Sequence, residues 1–423
     1  MGVWDEVFSP GNLSAALKRV RANRGAPGVD GMTTEELVPW LDVHWPEVRA
    51  ALDEGTYRPS PVRRVVIPKP GGGERLLGVP TVLDRLVQQA LAQVLTGIFD
   101  PGFAESSYGF RPGRSAHQAV RAGQVFIEEG YRWVVDVDLE KFFDRVGHDA
   151  LMARVARKVT DKRVLKLIRR FLDAGVMVEG VKQPTAEGTP QGSPLSPLLS
   201  NIMLDDLDRE LGRRGLRFVR YADDIRVFVR SKRAATRVLG GITEVVEGRL
   251  KLRVNREKSS VQPAGRAVLL GFGFFFVTGG RVKVRVAPKA IARLKTRLRE
   301  LTRRNWGVSM GYRIGVLNRF VRGWMGYFRV ADTPRVFRDL DEWFYRRLRQ
   351  IYWKQWKRIR TRRRMLAQLG IPPLSAIRWA ASSKGYWRIA GSPVLQRALP
   401  RRYWDRQGLI GLRTAWERFR QAV

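Results

Sequence analysis

The sequence contains no cysteine and only three histidines, His44, His117 and His148, among its 423 residues. That excludes disulfides, iron–sulfur clusters, zinc ribbons and thiol nucleophiles together, and it leaves no histidine-rich nuclease site in the last two-thirds of the chain. A metal at work here must be held by hard carboxylate oxygens, which suits magnesium or manganese. Long apolar runs are missing as well. The longest, Val268 to Val277, has ten residues and two glycines, against about 20 needed to span a bilayer. The opening MGVWDEVF is acidic, without an apolar stretch, and position 6 is Glu. Neither a secretory leader nor a myristoylation signal is expected, and the chain reads as cytoplasmic.

Acidic residues are scarce relative to basic ones: 40 Asp+Glu against 78 Lys+Arg give a net charge of +38. The excess is uneven. Residues 281–423 hold 36 basic and 7 acidic side chains, a net +29, whereas residues 1–280 hold 42 and 33, a net +9. Arg outnumbers Lys 62 to 16, and its planar fork suits phosphate. Charge of this size points to a nucleic-acid partner, with exposed Arg residues around 295–304 and 358–364 as candidate phosphate contacts. A membrane surface is the weaker reading, because the basic helices carry ordinary core-facing stripes.

With 44% hydrophobic residues, the chain has enough apolar mass for several domains. Leu13, Leu17 and Val20 follow the start signal Ser9-Pro10-Gly11-Asn12 at helical spacing, and Arg24–Gly31 is a glycine-rich loop. Arg63–Pro68 and Arg75–Val79 read as a hairpin around a Pro-Gly-Gly-Gly turn, with Lys69 and Arg75 beside its tip. Tyr131–Leu139 reads as a strand. Leu216–Tyr221 and Ile225–Arg230 form a hairpin around Ala222-Asp223-Asp224, and Val268–Val277 pairs with Arg281–Val286. After about 288 the pattern turns helical, in three stripes from Ile291, Ile314 and Phe337 that step by three and four. From Ile371 a short, Pro-punctuated, Trp-rich tail reads as an appended module. The order implies an α+β sheet domain followed by a helical bundle.

Two places bring carboxylates together. Asp136 and Asp138 share one face of their strand by its period of two, and Asp223 and Asp224 sit at a hairpin turn. Adjacent carboxylates repel, and a divalent cation compensates them. Three such groups could hold two Mg²⁺ ions for in-line phosphoryl transfer. Asp136, Asp138 and Asp144 all remain candidates for the first ligand on these grounds.

Tyr221-Ala-Asp-Asp224 at a turn, preceded by Asp138-Leu-Glu-Lys-Phe-Phe-Asp144, resembles the reverse transcriptases. Between them, Gly188-Thr-Pro-Gln-Gly-Ser-Pro-Leu-Ser-Pro-Leu-Leu-Ser-Asn201 is similar to the template- and nucleotide-positioning segment of the retron and group II intron branch. Arg63–Arg85 resembles the fingers hairpin, and Ser106-Ser-Tyr-Gly-Phe-Arg-Pro-Gly-Arg114 the next block. Leu252–Lys258 and Leu269–Phe272 resemble the two blocks after the catalytic turn, and Leu317–Phe328 and Gly385–Pro400 the maturase and C-terminal segments of group II intron proteins.

That resemblance implies an α+β right-hand polymerase with an antiparallel palm sheet, an all-α thumb and a small C-terminal module. The expected divisions are 1–110 for N-terminal extension and fingers, 111–287 for palm with interleaved fingers segments, 288–370 for thumb and 371–423 for a DNA-binding module. It implies Asp138, Asp223 and Asp224 as catalytic metal carboxylates, with the Leu139 carbonyl as a further ligand and Lys258 as the acid for pyrophosphate. Lys69, Arg75, Leu139, Phe143, Gln191, Gly192 and Ala222 would bind the dNTP, Phe143 as the steric gate against a 2′-hydroxyl. Arg24, Gly25, Gly28, Arg63, Arg111 and Arg114 would meet template RNA. The cofactor would be Mg²⁺, two ions, with Mn²⁺ as substitute. Partners would be group II intron RNA, an RNA template with a DNA primer, and target DNA. No Cys/His endonuclease module is expected, which resembles the compact bacterial C-type intron proteins. Two alternatives stay open: a host-adopted reverse transcriptase for repair or defence, and a splicing cofactor that no longer polymerises.

Overall fold

The computed structural model describes residues 2–68, 74–178, 181–183 and 192–421. The chain forms two compact units, Met1–Ala267 and Val268–Val423. Its strands are β1 (Val62–Pro68), β2 (Glu74–Val79), β3 (Trp133–Val137), β4 (Val176–Val178), β5 (Val181–Gln183), β6 (Arg217–Tyr221), β7 (Asp224–Val229), β8 (Ser260–Pro263), β9 (Val268–Leu269), β10 (Phe272–Phe276) and β11 (Val282–Val286).

In the first unit the expected fingers hairpin is present as antiparallel β1 and β2, from Arg63↔Val79 to Pro68↔Glu74. A parallel pairing of β1 with β4 extends it to the order β2-β1-β4-β5. The next helix, Val82–Phe99, starts where Thr81 accepts the Asp84 amide. Asp84 is itself buried and accepts Tyr57 Oη–H at 2.7 Å and the Ser60 amide at 3.0 Å, which ties the preceding segment to the helix start.

The second sheet of this unit is fully antiparallel in the order β6-β7-β3-β8. Strand alternation sorts its residues. Val135, Val137, Ile225 and Val227 point into the main core with Ala235 and Ile242 of the helix Lys232–Glu244. The opposite face carries Val134 and Phe228, with Phe228 packed on Phe126 of the helix Ala116–Glu128. Further along that face come Asp136 and Arg226, then Asp138 and Asp224. The charged end lies where the Phe126–Phe228 packing stops.

The second unit opens with the sheet β11-β10-β9. The apolar run Val268–Val277 is not one strand. Left-handed Leu270 (φ 51°) and Gly271 (φ 84°) reverse the chain, so that β9 folds back on β10. Phe272 packs on Tyr327 and Phe328, ring centroids 5.4 and 5.0 Å apart, which joins this sheet to the helices behind it. The three expected helices run Pro288–Leu301, Met310–Phe328 and Pro334–Gln355, and their predicted stripes are buried except at Ile291 and Trp324, which are half-buried. The tail forms six short helices from Ile359 to Gln421. The last, Leu412–Gln421, is anchored by Asp341, which accepts the Leu412 and Arg413 amides at 2.6 and 3.0 Å.

Candidate active site

The register of β3 and β7 sets the site. Val137 pairs with Ile225 and Asp136 with Arg226. The next step along each strand brings Asp138 toward Asp224 on the same face. Asp138 is held by its backbone: its amide donates to Ser259 Oγ at 3.0 Å, and its carbonyl accepts the Asn255 amide at 2.8 Å. Leu139 forms a bridge with Val254 and is buried. Lys141 is left-handed (φ 46°), which starts the turn Phe142–Asp144. Phe142 is buried and Phe143 half-buried, with their rings edge to face at 5.3 Å.

Tyr221 and Asp224 close the hairpin, leaving Ala222 and Asp223 as its two turn residues. Ala222 is left-handed (φ 58°) and buried. That conformation disfavours a residue with a Cβ by roughly 1–2 kcal/mol, so the surroundings must hold it. Gly109 is one such support, because a Cβ there would lie 2.3 Å from the Ala222 amide nitrogen.

Arg226 is the cation inside this carboxylate group. Its Nη1 lies 2.7 Å from Asp136 Oδ1 and also bonds Asp224. Burial pushes the Asp136 carboxyl up to about 6; Arg226 works against this, while Asp224 and Asp138 add to it. Burial likewise raises Asp224, opposed by Arg226 and reinforced by Asp223 and Asp138. Among the described residues no three acidic or histidine side chains converge at metal-ligand geometry. The donor set nevertheless fits a hard divalent cation. Four carboxylates sit at one sheet end with one guanidinium among them, and two of them are desolvated and repelled by the others.

Lys69 and Gln191 lie outside the described residues. Arg75 pairs with Ile67 through its backbone. Gly192 (φ 114°) approaches β2 so closely that a Cβ would lie 3.2 Å from the Gly78 carbonyl oxygen. Lys258 is exposed, its amide donating to Asn255 Oδ1. Asp144 is exposed too, beside Lys141, Arg145, Lys251 and Arg253.

The loop Arg24–Gly31 is docked rather than free. Arg63 donates to the Pro27 carbonyl at 2.8 and 3.1 Å, and Arg85 donates to Ala26 at 2.7 Å. Gly25 lies against the Arg85 guanidinium and Gly28 against the Thr81 backbone, and Arg24 is left-handed. Arg63 therefore serves the loop through its guanidinium. Arg111, expected at the template, has a side chain that is 5% exposed and bonds Asp100 and the Ala104 and Ser107 carbonyls, which ties the 100–107 loop together. Arg114 stays partly exposed, paired with Glu105 and over the Tyr108 ring.

Sequence reasoning missed Arg85, Arg226 and Arg220. Only the strand register reveals the pairing of Arg226 with Asp136. Arg220 lies between Val219 and Tyr221 within the strand, and its side chain is fully buried behind the turn.

Residues 67–274 match the profile of the reverse transcriptase (RNA-dependent DNA polymerase) family, and residues 291–370 that of the group II intron maturase-specific domain. Protein YkfC of Escherichia coli K12 is 35% identical over 295 residues, covering 60% of this chain and 77% of that protein. The chain belongs to the reverse transcriptases of the group II intron type. The group II intron-encoded protein LtrA of Lactococcus lactis is also 35% identical, over 225 residues that cover 51% of this chain and 37% of LtrA. A 91 kDa protein in the cob intron of Schizosaccharomyces pombe is 43% identical over 150 residues, 35% of this chain and 18% of that one. The family makes the chain an RNA-directed DNA polymerase with a maturase domain, dependent on divalent metal and acting on nucleic acid. Among the described residues no helix is long and apolar enough to cross a membrane.

Proposed function

We propose that this reverse transcriptase extends a DNA primer on an RNA template with Mg²⁺ held by Asp138 and Asp223, supported by Asp224 and the Leu139 carbonyl. The observation that carries this reading is the β3–β7 register, which brings the turn carboxylates to the end of the strand leading into Asp138. Bound divalent ions would activate the primer 3′-hydroxyl and neutralise charge on the leaving pyrophosphate.

The chain's own residues do the rest. Phe143, braced edge-on by buried Phe142, stacks under the incoming sugar and excludes a 2′-hydroxyl. The Ala222 backbone faces the same nucleotide. Gly192, packed on the β2 backbone, lets main chain approach the substrate beside Gln191. Lys69 and Arg75, on the fingers hairpin, neutralise the triphosphate. Lys258, exposed in the segment that pins Asp138, supplies the proton for pyrophosphate. The docked loop carrying Arg24, Gly25 and Gly28 covers the template, with Arg114 as a phosphate contact. The strongly basic second unit binds group II intron RNA for splicing, and the module from 371 meets target DNA.

The deciding experiment is Mg²⁺-dependent extension of a DNA primer on RNA, beside Asp223→Ala/Asp224→Ala. Loss of extension in the variant, with hybrid binding kept, supports the reading. A wild type that binds the hybrid and adds nothing, with Mn²⁺ also tried, would end it.

A further inference from the structure

The catalytic turn is backed by a buried cation that nucleotide addition does not itself use. Arg220 is 0% exposed, and its guanidinium donates in every direction. Nε bonds both Asp208 oxygens at 2.8 and 2.9 Å. Nη2 bonds Asp208 Oδ2 at 2.5 Å and Ser107 Oγ at 2.7 Å. Nη1 bonds Asn201 Oδ1 at 2.8 Å and, at 3.0 Å, the carbonyl of Ala222. The charge is balanced by Asp208, which is equally buried.

A well-packed apolar pair could fill this space at less desolvation cost, so stability alone does not explain an ion pair here. Its contacts are geometric. The Ala222 carbonyl belongs to the left-handed turn residue immediately before Asp223. Asn201, also fully buried, accepts from Arg220 and donates to the Gly109 carbonyl at 2.9 Å. Gly109 in turn lies against the Tyr221–Ala222 backbone. The Arg220 main chain completes the frame, donating to Ser106 O and accepting from Tyr108 N, both at 2.8 Å. One guanidinium thus joins the 106–109 segment, the helix Ser196–Arg213 that follows the nucleotide segment, and the catalytic turn.

We infer that Arg220 is a positioning residue: it fixes the Ala222 backbone, and so the aim of Asp223 and Asp224, and through Asn201 it locks that turn to the helix behind the nucleotide pocket. The inference rests on the proposed role of Asp223 and Asp224 as metal carboxylates.

The test uses full-length Arg220→Lys and Asn201→Ala, with Asp223→Asn in parallel. Folding is checked by circular dichroism and melting, Mn²⁺ binding by electron paramagnetic resonance, and kcat and KM for dNTP by single-nucleotide addition. In folded Arg220→Lys, kcat should fall about tenfold or more while KM changes less than about threefold, because a turn misaimed by a fraction of an ångström loses rate before it loses nucleotide binding. The Mn²⁺ midpoint should rise several-fold, and Asn201→Ala should move both in the same direction by less. Wild-type kcat and Mn²⁺ midpoint in folded Arg220→Lys overturn the inference. Should that variant not fold, the same result in folded Asn201→Ala overturns it. Asp223→Asn distinguishes the two levels: if it is inactive while Arg220→Lys is normal, only the positioning role falls. If Asp223→Asn extends primers at the wild-type rate, the site reading falls and takes this inference with it.

Discussion

Asp136 and Arg226 face each other across the β3–β7 ladder, 2.7 Å apart, and the same guanidinium nitrogen reaches Asp224 two residues back on its own strand. The arrangement supplies one internal positive charge to four neighbouring carboxylates. Without it, Asp136 and Asp224 would keep their burial and their mutual repulsion but lose the group that opposes both.

This pairing predicts non-additive stability. Arg226→Gln and Asp136→Asn should each destabilise the protein, and the double variant should lose less than their sum. A coupling of about 1–3 kcal/mol is expected for a partly buried pair in direct contact. Urea unfolding of the four proteins of the cycle measures it, and strict additivity would show that the contact carries no energy.

The carboxylate cluster was legible in the sequence because each pair rests on a local rule: period-two alternation for Asp136 and Asp138, a hairpin turn for Asp223 and Asp224. The helical stripes from Ile291, Ile314 and Phe337 were legible for the same reason. What was not legible depends on long-range pairing. Which strand faces β3 decides that Arg226 neutralises Asp136, and no single-strand pattern contains that. Arg220 shares its strand face with Leu216 and core-facing Phe218, so alternation puts a charge on the buried side, and only the contacts from the helix Ser196–Arg213 and the segment around Ser107 show what neutralises it. The break at Leu270–Gly271 was hidden because the run on both sides is uniformly apolar and glycine is common in such runs.

Gly28 offers a test of the docked loop. A Cβ at this position would meet the Thr81 Cα at 2.6 Å and the Thr81 amide nitrogen at 2.7 Å, both backbone atoms that cannot swing aside. Gly28→Ala should lift the loop from the Thr81 helix start at a cost of about 1–3 kcal/mol. If the loop covers the template, the number of nucleotides added per binding event should drop several-fold while addition of the first nucleotide is kept. Unchanged processivity in a folded variant would remove the loop from the template path.

Asp341 should make stability depend on pH. Burial pushes its carboxyl up to about 6, although two backbone amides of the last helix favour the ionised form. A carboxyl whose folded pKa lies above its ordinary value near 3.8 binds its proton more tightly in the folded state. Its favourable contribution is therefore complete below about pH 4 and disappears as pH rises through 6. The stability difference between wild type and Asp341→Asn should change by about 3 kcal/mol across that window, in favour of wild type on the acid side. Denaturant unfolding of both proteins from pH 4 to pH 7 reads it directly, and parallel curves would mean that Asp341 titrates normally.

Phe142 and Phe143 adjoin in sequence but should respond oppositely to truncation. Phe142 is 2% exposed and belongs to the main core, so Phe142→Ala should cost about 3–5 kcal/mol and lower the yield of folded protein without altering substrate choice. Phe143 is half-buried, with its ring held edge-on by Phe142 at 5.3 Å, so its truncation should be tolerated better. If its ring closes the space beside the sugar, Phe143→Ala should raise ribonucleotide incorporation relative to deoxynucleotide by about tenfold or more, since the clash it provides is with a single hydroxyl. Competition between each dNTP and its rNTP on one template measures the ratio. A ratio unchanged in Phe143→Ala but shifted in folded Phe142→Ala would move the gate to the other ring, and with it the direction from which the nucleotide enters.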